Sequence, residues 1–370
     1  MTSRVVSATQ AADDLQIIHD DARPAILDDV QRENDKDLRR YLRWLIPVTP
    51  WAWFVIRGFH PILEIVAILL PVLVVVAIAV SVLLAAFFRS WLAIAIAGSL
   101  GLFLLAAVAL PRSPISSAEP LSPTRFAAIN VAERWFSYND VGWFVAQQEP
   151  DVFVGLELSE AHDNDLQGRF ENSITDLTGF PPQPAPVGTI PTTDGTYREN
   201  DGPGIGLYSN FPLTLLEDPL AEEVPGGLPG FRAILALPEG DVVLYALHIP
   251  RPGTGSGIYE VGPFEQRNLV NAIAASIEEE DIPVVIMGDL NVVDRGAAYR
   301  HLTDNLWDVM RIDDWASPTR EGDIWHTALQ LRIDHLLISS ELCAMDARAT
   351  QVFFTDHRPI QADLGLCPQG

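Results

Sequence analysis

The sequence predicts an α/β protein in which two packed sheets are flanked by helices and preceded by a membrane-inserted segment. Strand-like and helix-like stretches are interleaved over the C-terminal part of the chain, with several strand–strand neighbours, which favours two sheets over a single doubly wound sheet. Two long apolar runs lie ahead of these stretches. Short polar groups follow many of the strand-like runs, and a strand end is where a sheet presents side chains to a cleft.

Two apolar runs near residue 90 predict transmembrane helices. The first, residues 62–88, has Glu64 as its only charged side chain, and the second covers residues 91–110. Each is close to the roughly 20 residues that cross a bilayer. Because Arg89 and Ser90 leave room only for a tight turn, the two runs predict a helical hairpin. The hairpin starts too deep in the chain and is too long to be a cleaved signal peptide.

A third and weaker segment, residues 44–56, holds two prolines and three tryptophans. It is either an interfacial or re-entrant stretch, since tryptophan favours the headgroup level, or a short first span. Arg39, Arg40 and Arg43 favour a cytoplasmic N-terminus. Two spans would then return the C-terminal domain to the cytoplasm, whereas three would place it outside the cell.

The two ends of the chain differ in charge. Residues 1–118 hold 10 basic and 10 acidic side chains, whereas residues 119–370 hold 14 and 39, so 14 − 39 = −25 accounts for the whole net charge. An acidic domain of this kind repels polyanions. It therefore argues against a loose, sequence-independent grip on a DNA backbone.

Composition divides the chain into four expected segments. Residues 1–43 are a polar acidic tail, partly disordered, and residues 44–111 form the membrane region. Residues 112–124 are a linker rich in proline and serine. This leaves residues 125–370 as the C-terminal domain, which is long enough to bury a large core.

Apolar runs, alternation and helix start signals place the elements of this domain. Strands are expected at 125–130, 151–157, 204–209, 231–236, 242–248, 283–288, 333–339, 350–354 and 359–364. Helices are expected at 140–148, 159–173, 263–280 and 297–306. Loops rich in glycine and proline are expected at 174–203 and 249–262.

Candidate catalytic side chains lie at several expected strand ends. Asp289 and Asn291 follow a fully apolar strand two residues apart, so they either face one cleft or form an Asx-turn. His357, beside Asp356, is a candidate general acid or base, although a lone histidine is more often structural. Asp334 opens another strand and is a candidate partner that orients the His357 imidazole.

Three further polar residues end apolar strands in the same way. Glu157 follows a buried strand, where a carboxylate is costly unless it is paired or bound to a metal ion. Asn130 is an amide at a strand end, with a simple turn as the alternative. His248 either binds phosphate or merely caps its strand. Together these side chains suggest a metal-assisted hydrolytic site.

The ordered set resembles the endonuclease/exonuclease/phosphatase superfamily. The similar stretches are Phe126–Val131, Asp151–Glu157, Gly204–Ser209, Ala246–His248, Gly288–Asn291, Arg332–His335 and Thr355–Ile360. The resemblance covers roughly residues 125–366. It is to the deoxyribonuclease- and sphingomyelinase-like members, and in particular to the bacterial membrane-attached branch, in which apolar spans precede the catalytic domain. Abasic-site enzymes are less similar, since Asn210 stands where they carry an arginine.

The resemblance implies a four-layer α/β sandwich with its site at one edge of the two sheets. It also implies a divalent cofactor, Mg²⁺ with Mn²⁺ as a substitute, held mainly by Glu157 with Asn130 and Asp356 nearby. Such a ligand set is sensible, because Mg²⁺ prefers one or two carboxylates together with waters and phosphate oxygens.

The resemblance further implies the roles of the remaining side chains. Asp289 would position the attacking water, and Asn291, like Asn130, would bind the substrate near its phosphate. His357, held by Asp334, would protonate or stabilise phosphoryl oxygens. His248 would match an additional histidine of the deoxyribonuclease and sphingomyelinase types.

The expected function is that of a membrane-anchored, Mg²⁺-dependent phosphodiesterase or nuclease that hydrolyses a phosphate ester by in-line attack of water. Its partners would be the lipid bilayer and a phosphate-ester substrate, either nucleic acid or phospholipid. We expect it in the bacterial cell membrane, with the catalytic domain outside the cytoplasm. The alternative is a non-catalytic, membrane-anchored binding module on a hydrolase fold.

The chain has two cysteines, Cys343 and Cys367. The sequence contains no cluster of cysteine and histidine of the kind that holds structural zinc. They form either one disulfide or two free thiols. Both follow strands that begin at the expected site, so both should lie at the opposite edge of the fold. A disulfide would place the domain in an oxidising compartment and would require three membrane passes.

Overall fold

Two six-stranded mixed sheets form the frame of the C-terminal part of the chain. The computed structural model describes residues 59–88, 91–109, 118–131, 138–176, 204–224, 227–253, 260–311, 318–320, 329 and 331–368. The chain divides into two compact units. Within the first unit, the described residues 77–88 and 91–103 are helical. The second unit holds residues 56–76 together with residues 104–370, and therefore both sheets.

The helices are α1 (Leu63–Phe88), α2 (Trp91–Ala109), α3 (Tyr138–Gln148), α4 (Glu160–Gln167), α5 (Pro263–Glu278) and α6 (Ala297–Thr303), with a 3-10 turn at Val309–Arg311. The strands are β1 (Thr124–Asn130), β2 (Val152–Leu158), β3 (Asn172–Asp176), β4 (Gly204–Ser209), β5 (Leu213–Leu215), β6 (Gly230–Leu237), β7 (Gly240–His248), β8 (Arg251–Pro252), β9 (Glu260–Val261), β10 (Val284–Asp289), β11 (Trp307–Asp308), β12 (Asp334–Ile338), β13 (Leu342–Ala349) and β14 (Ile360–Leu366).

Each sheet contains one parallel pair at its centre. The first sheet has the strand order β13-β14-β1-β2-β4-β3, in which β1 and β2 are parallel. The second has the order β11-β12-β10-β7-β6-β5, in which β7 and β10 are parallel. The strands next to these pairs, β14 and β12, run antiparallel to them. The C-terminal ends of the parallel pairs and the N-terminal ends of β12 and β14 therefore lie at the same edges of their sheets.

The central strands are buried on both faces because their alternate side chains enter different apolar cores. In β7, Leu244 packs between the two sheets, whereas its neighbour Tyr245 packs with Ile273 of α5. In β1, Phe126 faces the core between the sheets, and Ala127 shares the outer core with residues of α3 and α4. The result is four layers, helices–sheet–sheet–helices, as the sequence and the resemblance predicted.

Most expected elements form within a few residues of their predicted bounds, but one strand prediction and one helix prediction were wrong. The strand expected at 350–354 is absent, because residues 350–359 form a loop joining β13 to β14, closed by the Thr350 N–H donating to the Pro359 oxygen at 2.9 Å. Strand β13, which follows β12, was not among the expected strands. The helix expected at 159–173 ends at Gln167, because the chain must turn before β3 begins. Of the loop expected at 174–203, residues 177–203 lie outside the described residues.

Helices α1 and α2 coincide with the two apolar runs. Among the described residues, one helical stretch, Leu63–Leu83, is long and apolar enough to cross a membrane, with a mean hydropathy of 3.2. The apolar stretch of α2 at Ile94–Phe103 is shorter. The turn expected at residues 89–90 and the weaker segment at 44–56 lie outside the described residues, so the hairpin and the number of passes stay predictions.

Cys343 and Cys367 form a disulfide with a Cα–Cα distance of 5.0 Å, inside the expected range. Cys343 pairs with Gly365 in the β13–β14 ladder, and the Cys367 N–H donates to the Glu341 oxygen at 2.9 Å. The bridge thus joins β13 to the end of β14, away from the N-terminal end of β14.

We expect the double substitution Cys343→Ala and Cys367→Ala to lower the free energy of unfolding by about 3 kcal/mol. The bridge closes a loop of moderate length, and the loss of its constraint on the unfolded chain is of this size. Urea denaturation of the full-length protein in detergent measures the change. A variant as stable as the wild type would contradict a structural role for the bridge.

Candidate active site

Three predicted residues form a continuous row across the second sheet. Asp289, the last residue of β10, is paired in register with His248 of β7 on one side and with Asp334 of β12 on the other. The row follows from strand direction, because β7 and β10 end where antiparallel β12 begins. Residues separated by up to 86 positions thus meet at one sheet edge because each lies at the appropriate end of its strand.

Asn130 joins the two sheets at this edge. It is the fully buried last residue of β1, and its side-chain Nδ2 donates to Glu157 Oε1 at 2.9 Å and to Asp289 Oδ2 at 3.1 Å. Glu157 belongs to the first sheet and Asp289 to the second. One amide therefore uses both of its hydrogens on carboxylates from opposite layers.

Local backbone geometry aims the Glu157 side chain at this edge. Glu157 has a φ of 56°, and the β2–β4 register shifts between Leu156 and Leu158. A bulge of this kind inserts an extra residue and redirects a side chain, and such sites are common beside active sites. A glutamate with positive φ is strained, so its backbone conformation motivates a functional hypothesis.

The turn after β10 depends on two unusual backbone conformations. Gly288 has a φ of 140°, and a Cβ there would lie 2.0 Å from the Leu247 carbonyl oxygen, so only glycine lets β10 approach β7. Asn291 has a φ of 48°. Its backbone N–H donates to Asp289 Oδ1 at 3.0 Å, and its Nδ2 donates to the Ile249 oxygen at 2.9 Å. The expected Asx-turn is thus present, and it holds Asp289 in place.

His357 and Asp334 form a buried ion pair. The His357 Nδ1 lies 3.0 Å from both carboxylate oxygens of Asp334, and its Nε2 lies 3.9 Å from Asp289 Oδ2. Burial alone would lower the pKa of His357, but the charge and hydrogen bond of Asp334, together with Asp289, raise the pKa to about 9. The imidazole is therefore protonated at neutral pH and carries a positive charge beside two carboxylates.

The neighbouring groups have shifted pKa values for related reasons. Burial, followed by the charge of Asp334, raises the pKa of Asp289 above its ordinary value. Burial lowers the pKa of His248, whose Nε2 lies 3.6 Å from Glu157 Oε1 and 3.8 Å from Asp289 Oδ2. Carboxylates and histidines with pKa values moved in this way are typical of sites that transfer protons.

Asp356 lies in the same loop as His357 but points to a different partner. Its Oδ2 accepts a hydrogen bond from Arg320 Nη2 at 3.3 Å, while its buried Oδ1 has no hydrogen-bond partner among the described residues. Of the three predicted metal ligands, Asn130 and Glu157 are in direct contact, and Asp356 pairs with Arg320.

The chemistry of the donors is compatible with a divalent cation. The unsatisfied Asp356 Oδ1 and the partly exposed Glu157 carboxylate are the hard oxygen ligands that Mg²⁺ and Mn²⁺ prefer. A second grouping, Asp289, Asp334 and His357, brings one ligand atom from each residue to within 4.8 Å of the others. Within that grouping, His357 and Asp334 already form an ion pair with each other.

Sequence reasoning missed several side chains that fix the site. Thr355 Oγ1 donates to the Asn130 oxygen at 2.7 Å and accepts from the His357 N–H at 3.2 Å, which ties the loop to β1. Thr319 Oγ1 accepts from the Asp334 N–H at 3.0 Å. The Thr355-Asp-His triplet could have indicated Thr355, whereas Thr319 and Arg320 have no local signal. Asp289 and His357 are only 2% and 4% exposed, so they are more deeply buried than strand-end residues suggested.

Residues 136–357 match the model of the Endonuclease/Exonuclease/phosphatase family. The chain belongs to this family. Its fold is accordingly that of hydrolases that act on phosphate esters, and the predicted superfamily is confirmed. Membership of the membrane-attached branch is a finer statement that stays a prediction. No curated protein matches the chain.

Several solved structures resemble the chain. The endonuclease/exonuclease/phosphatase from Beutenbergia cavernae DSM 12333 is 18% identical, with a TM-score of 0.50 and coverage of 66% of this chain and 72% of that one. The human Nocturnin catalytic domain with bound sulfate is 16% identical, with a TM-score of 0.47 and coverage of 68% and 96%. Humanized D. rerio TDP2 is 15% identical, with a TM-score of 0.47 and coverage of 66% and 99%.

We expect Asp334→Asn to lower the pKa of His357 from about 9, because the asparagine keeps an acceptor oxygen but removes the charge that favours the imidazolium. His357 loses its proton as the pH rises through its pKa. The variant should therefore lose the protonated form, and any step that needs it, at a lower pH than the wild type. NMR titration of His357 in metal-free protein measures the shift. The matched control is Asp281→Asn, at an exposed residue just before the start of β10. If His357 had the same pKa in the wild type, in Asp334→Asn and in the control, the His357–Asp334 pairing would be refuted.

Proposed function

We propose that this protein is a membrane-anchored, divalent-metal-dependent hydrolase of phosphate esters. The observation that carries the proposal is the bridge by which Asn130 holds Glu157 and Asp289, from opposite sheets, at 2.9 and 3.1 Å. It brings a candidate metal ligand and a candidate water-positioning carboxylate to one amide. The His357–Asp334 pair lies on the other side of Asp289, so acid–base groups complete the site.

Glu157, with Asp356 and Asn130, is the set of residues proposed to hold Mg²⁺ or Mn²⁺. When bound, the ion would offset negative charge on the phosphoryl group and orient the ester. Asn130 would keep the Glu157 carboxylate oriented, since its amide already donates to one of the carboxylate oxygens. Arg320 would orient the Asp356 carboxylate, since its Nη2 donates to Asp356 Oδ2.

The proton-transferring roles follow from the charges of the site. Asp289, whose pKa is raised, would accept a hydrogen bond from the attacking water and take up its proton. Protonated His357 would donate from Nε2 to a phosphoryl oxygen, while Asp334 holds its Nδ1. Neutral His248 would add a hydrogen bond near Glu157. Asn291 donates one side-chain amide hydrogen to the Ile249 oxygen, and it would donate the other to the phosphate.

The substrate is proposed to be a phosphate ester of nucleic acid or phospholipid, with a lipid bilayer as the second partner. The apolar stretch Leu63–Leu83 supports anchoring, and the Cys343–Cys367 disulfide supports a domain outside the cytoplasm of a bacterial cell. With a cytoplasmic N-terminus, that placement needs three passes, the first of them at residues 44–56.

A non-catalytic binding module on the same fold is the alternative. It is disfavoured by the burial of the carboxylates of Asp289 and Asp334 beside the protonated imidazole of His357, an arrangement that binding alone does not require. Cleavage of bis-p-nitrophenyl phosphate by the full-length protein with Mg²⁺ or Mn²⁺ separates the two. Absence of cleavage with either ion would favour the binding module.

We expect Asp289→Asn and His357→Gln each to lower kcat by at least about a hundredfold, the usual loss when a positioned proton-transfer or electrostatic group is removed. Both replacements keep the approximate volume of buried side chains, so folding should survive, as circular dichroism would verify. Asp281→Asn serves as a matched control, because it changes an exposed acid at the opposite end of β10. Wild-type turnover in either site variant would contradict the assigned roles.

Activity should require a divalent ion, and excess EDTA should abolish it. Glu157→Gln removes one ligand charge, so the Mg²⁺ concentration needed for half-maximal activity should rise at least about tenfold. Exposed Glu171, replaced by Gln, is the control and should show the wild-type Mg²⁺ dependence. Full activity in EDTA would refute metal dependence, and an unchanged Mg²⁺ requirement in Glu157→Gln would refute the ligand assignment.

A further inference from the structure

The start of the apolar helix α1 carries a buried carboxylate. Glu64 lies in the first turn of the helix and is only 5% exposed. Residues 56–76 belong to the same compact unit as the two sheets, so the surroundings of Glu64 are those of the catalytic domain. A charged side chain at this place would be expensive in lipid hydrocarbon.

The catalytic domain holds this carboxylate from three sides. Glu64 Oε1 accepts from Arg267 Nη2 at 2.9 Å, from the Ala297 N–H at 3.0 Å and from the Ala298 N–H at 3.1 Å. Gly296 leaves the space the carboxylate needs, since a Cβ there would lie 2.3 Å from Glu64 Oε2. Charge, hydrogen bonds and shape are thus all matched to one carboxylate.

A second contact joins the same helix to the domain one turn later. Pro71 lies inside α1 and has no N–H, so the helix cannot satisfy the Ala67 carbonyl four residues earlier. Arg295, only 2% exposed, donates from Nε to the Ala67 oxygen and from Nη2 to the Ile68 oxygen at 3.1 Å. Its Nη2 also donates to the Leu329 oxygen at 2.9 Å. A buried guanidinium thus replaces the hydrogen bond that proline removes.

On the domain side, both contacts involve residues just after the candidate active-site segment in the chain, Arg295 and Ala297. Arg295 follows Asn291 by four residues, which span at most about 14 Å. Between them, the Val292 oxygen lies 2.9 Å from His335 Nε2, and His335 adjoins Asp334. The segment that begins at Asp289 is therefore fixed to β12 in its middle and to helix α1 at its end.

We propose that residues 63–70 are a docking helix of the catalytic domain rather than part of a membrane span, and that Glu64 and Arg295 are positioning residues for the segment 289–295. The membrane-crossing part of α1 then begins near Pro71. Residues 71–88 rise about 27 Å, close to the roughly 30 Å hydrocarbon thickness. This inference extends the proposed function, and its structural part does not depend on that function.

Depth measurements on the full-length protein in phospholipid vesicles test the assignment without an activity assay. Cys343 and Cys367 are joined, so a single introduced cysteine can carry a fluorescent label. Suitable exposed positions are Ile65→Cys and Leu69→Cys in the docking helix, and Val76→Cys and Val80→Cys beyond Pro71. Labels at 65 and 69 should be quenched by aqueous iodide, and labels at 76 and 80 by spin-labelled acyl chains. Acyl-chain quenching at all four positions would overturn the proposal.

Stability measurements test the two contacts. Glu64→Gln and Arg295→Gln should each lower the thermal midpoint by several degrees, whereas Arg169→Gln, at an exposed Arg–Asp pair, should leave it unchanged. Because Glu64 and Arg267 share one contact, the Glu64→Gln, Arg267→Gln double variant should lose less than the sum of the single losses. Unchanged midpoints in both single variants would refute the docking contacts.

Kinetics test positioning separately. Arg295→Gln should lower kcat about tenfold with a smaller change in KM, and Arg295→Lys, which keeps three donors, should restore most of kcat. Unchanged kcat in Arg295→Gln would refute the positioning role. An inactive wild type would instead refute the proposed function, while the depth and stability results would still decide the docking helix.

Discussion

The structure depends on one polar contact between two apolar sheets. The inner faces of both sheets are filled by apolar side chains, and Asn130 introduces an amide at the edge where the sheets meet. A buried amide is costly unless its hydrogens are used, and here both are used on carboxylates of Glu157 and Asp289. The contact therefore links the two layers and, with them, the candidate metal ligand Glu157 and the candidate proton acceptor Asp289.

Charge at this edge is balanced within a small volume. Asp289 and Asp334 are adjacent in register and both buried, an arrangement that would be unfavourable without a positive group. Protonated His357 supplies that charge and is held in turn by Thr355. Because each group is retained by the others, removal of one changes the protonation of the rest. The coupling is strong because the groups are buried together, where charges are poorly screened by water.

The same principle operates where helix α1 meets the catalytic domain. Glu64 and Arg295 are both buried, and each is satisfied across this contact: Glu64 pairs with Arg267 of the domain, and Arg295 donates to the Ala67 carbonyl of helix α1. Pro71 breaks the helix hydrogen bonding at the position that Arg295 repairs. An apolar sequence that hydropathy treats as one span is thus divided by its polar contacts into a docked part and a remaining apolar part.

The sequence by itself determined the local elements and the identity of the residues at strand ends. The uninterrupted apolar runs in β1, β7 and β10 end at Asn130, His248 and Asp289, because a strand buried on both faces stays apolar until it reaches the end of its sheet. The two-sheet architecture also followed from the order of strands and helices. Deep burial of the site and the irregular loop that carries His357 did not follow, since both depend on neighbouring strands.

Only the tertiary structure decided which distant groups meet. The alignment of His248, Asp289 and Asp334 requires the pairing of β7, β10 and β12, which no local pattern specifies. No local pattern specifies the pairing of Arg320 with Asp356 either. The sequence left Cys343 and Cys367 as either a disulfide or two free thiols, and the structure joins them. Local periodicity sets the direction of each side chain, whereas the choice of partner is made by the burial of surfaces far apart in the chain.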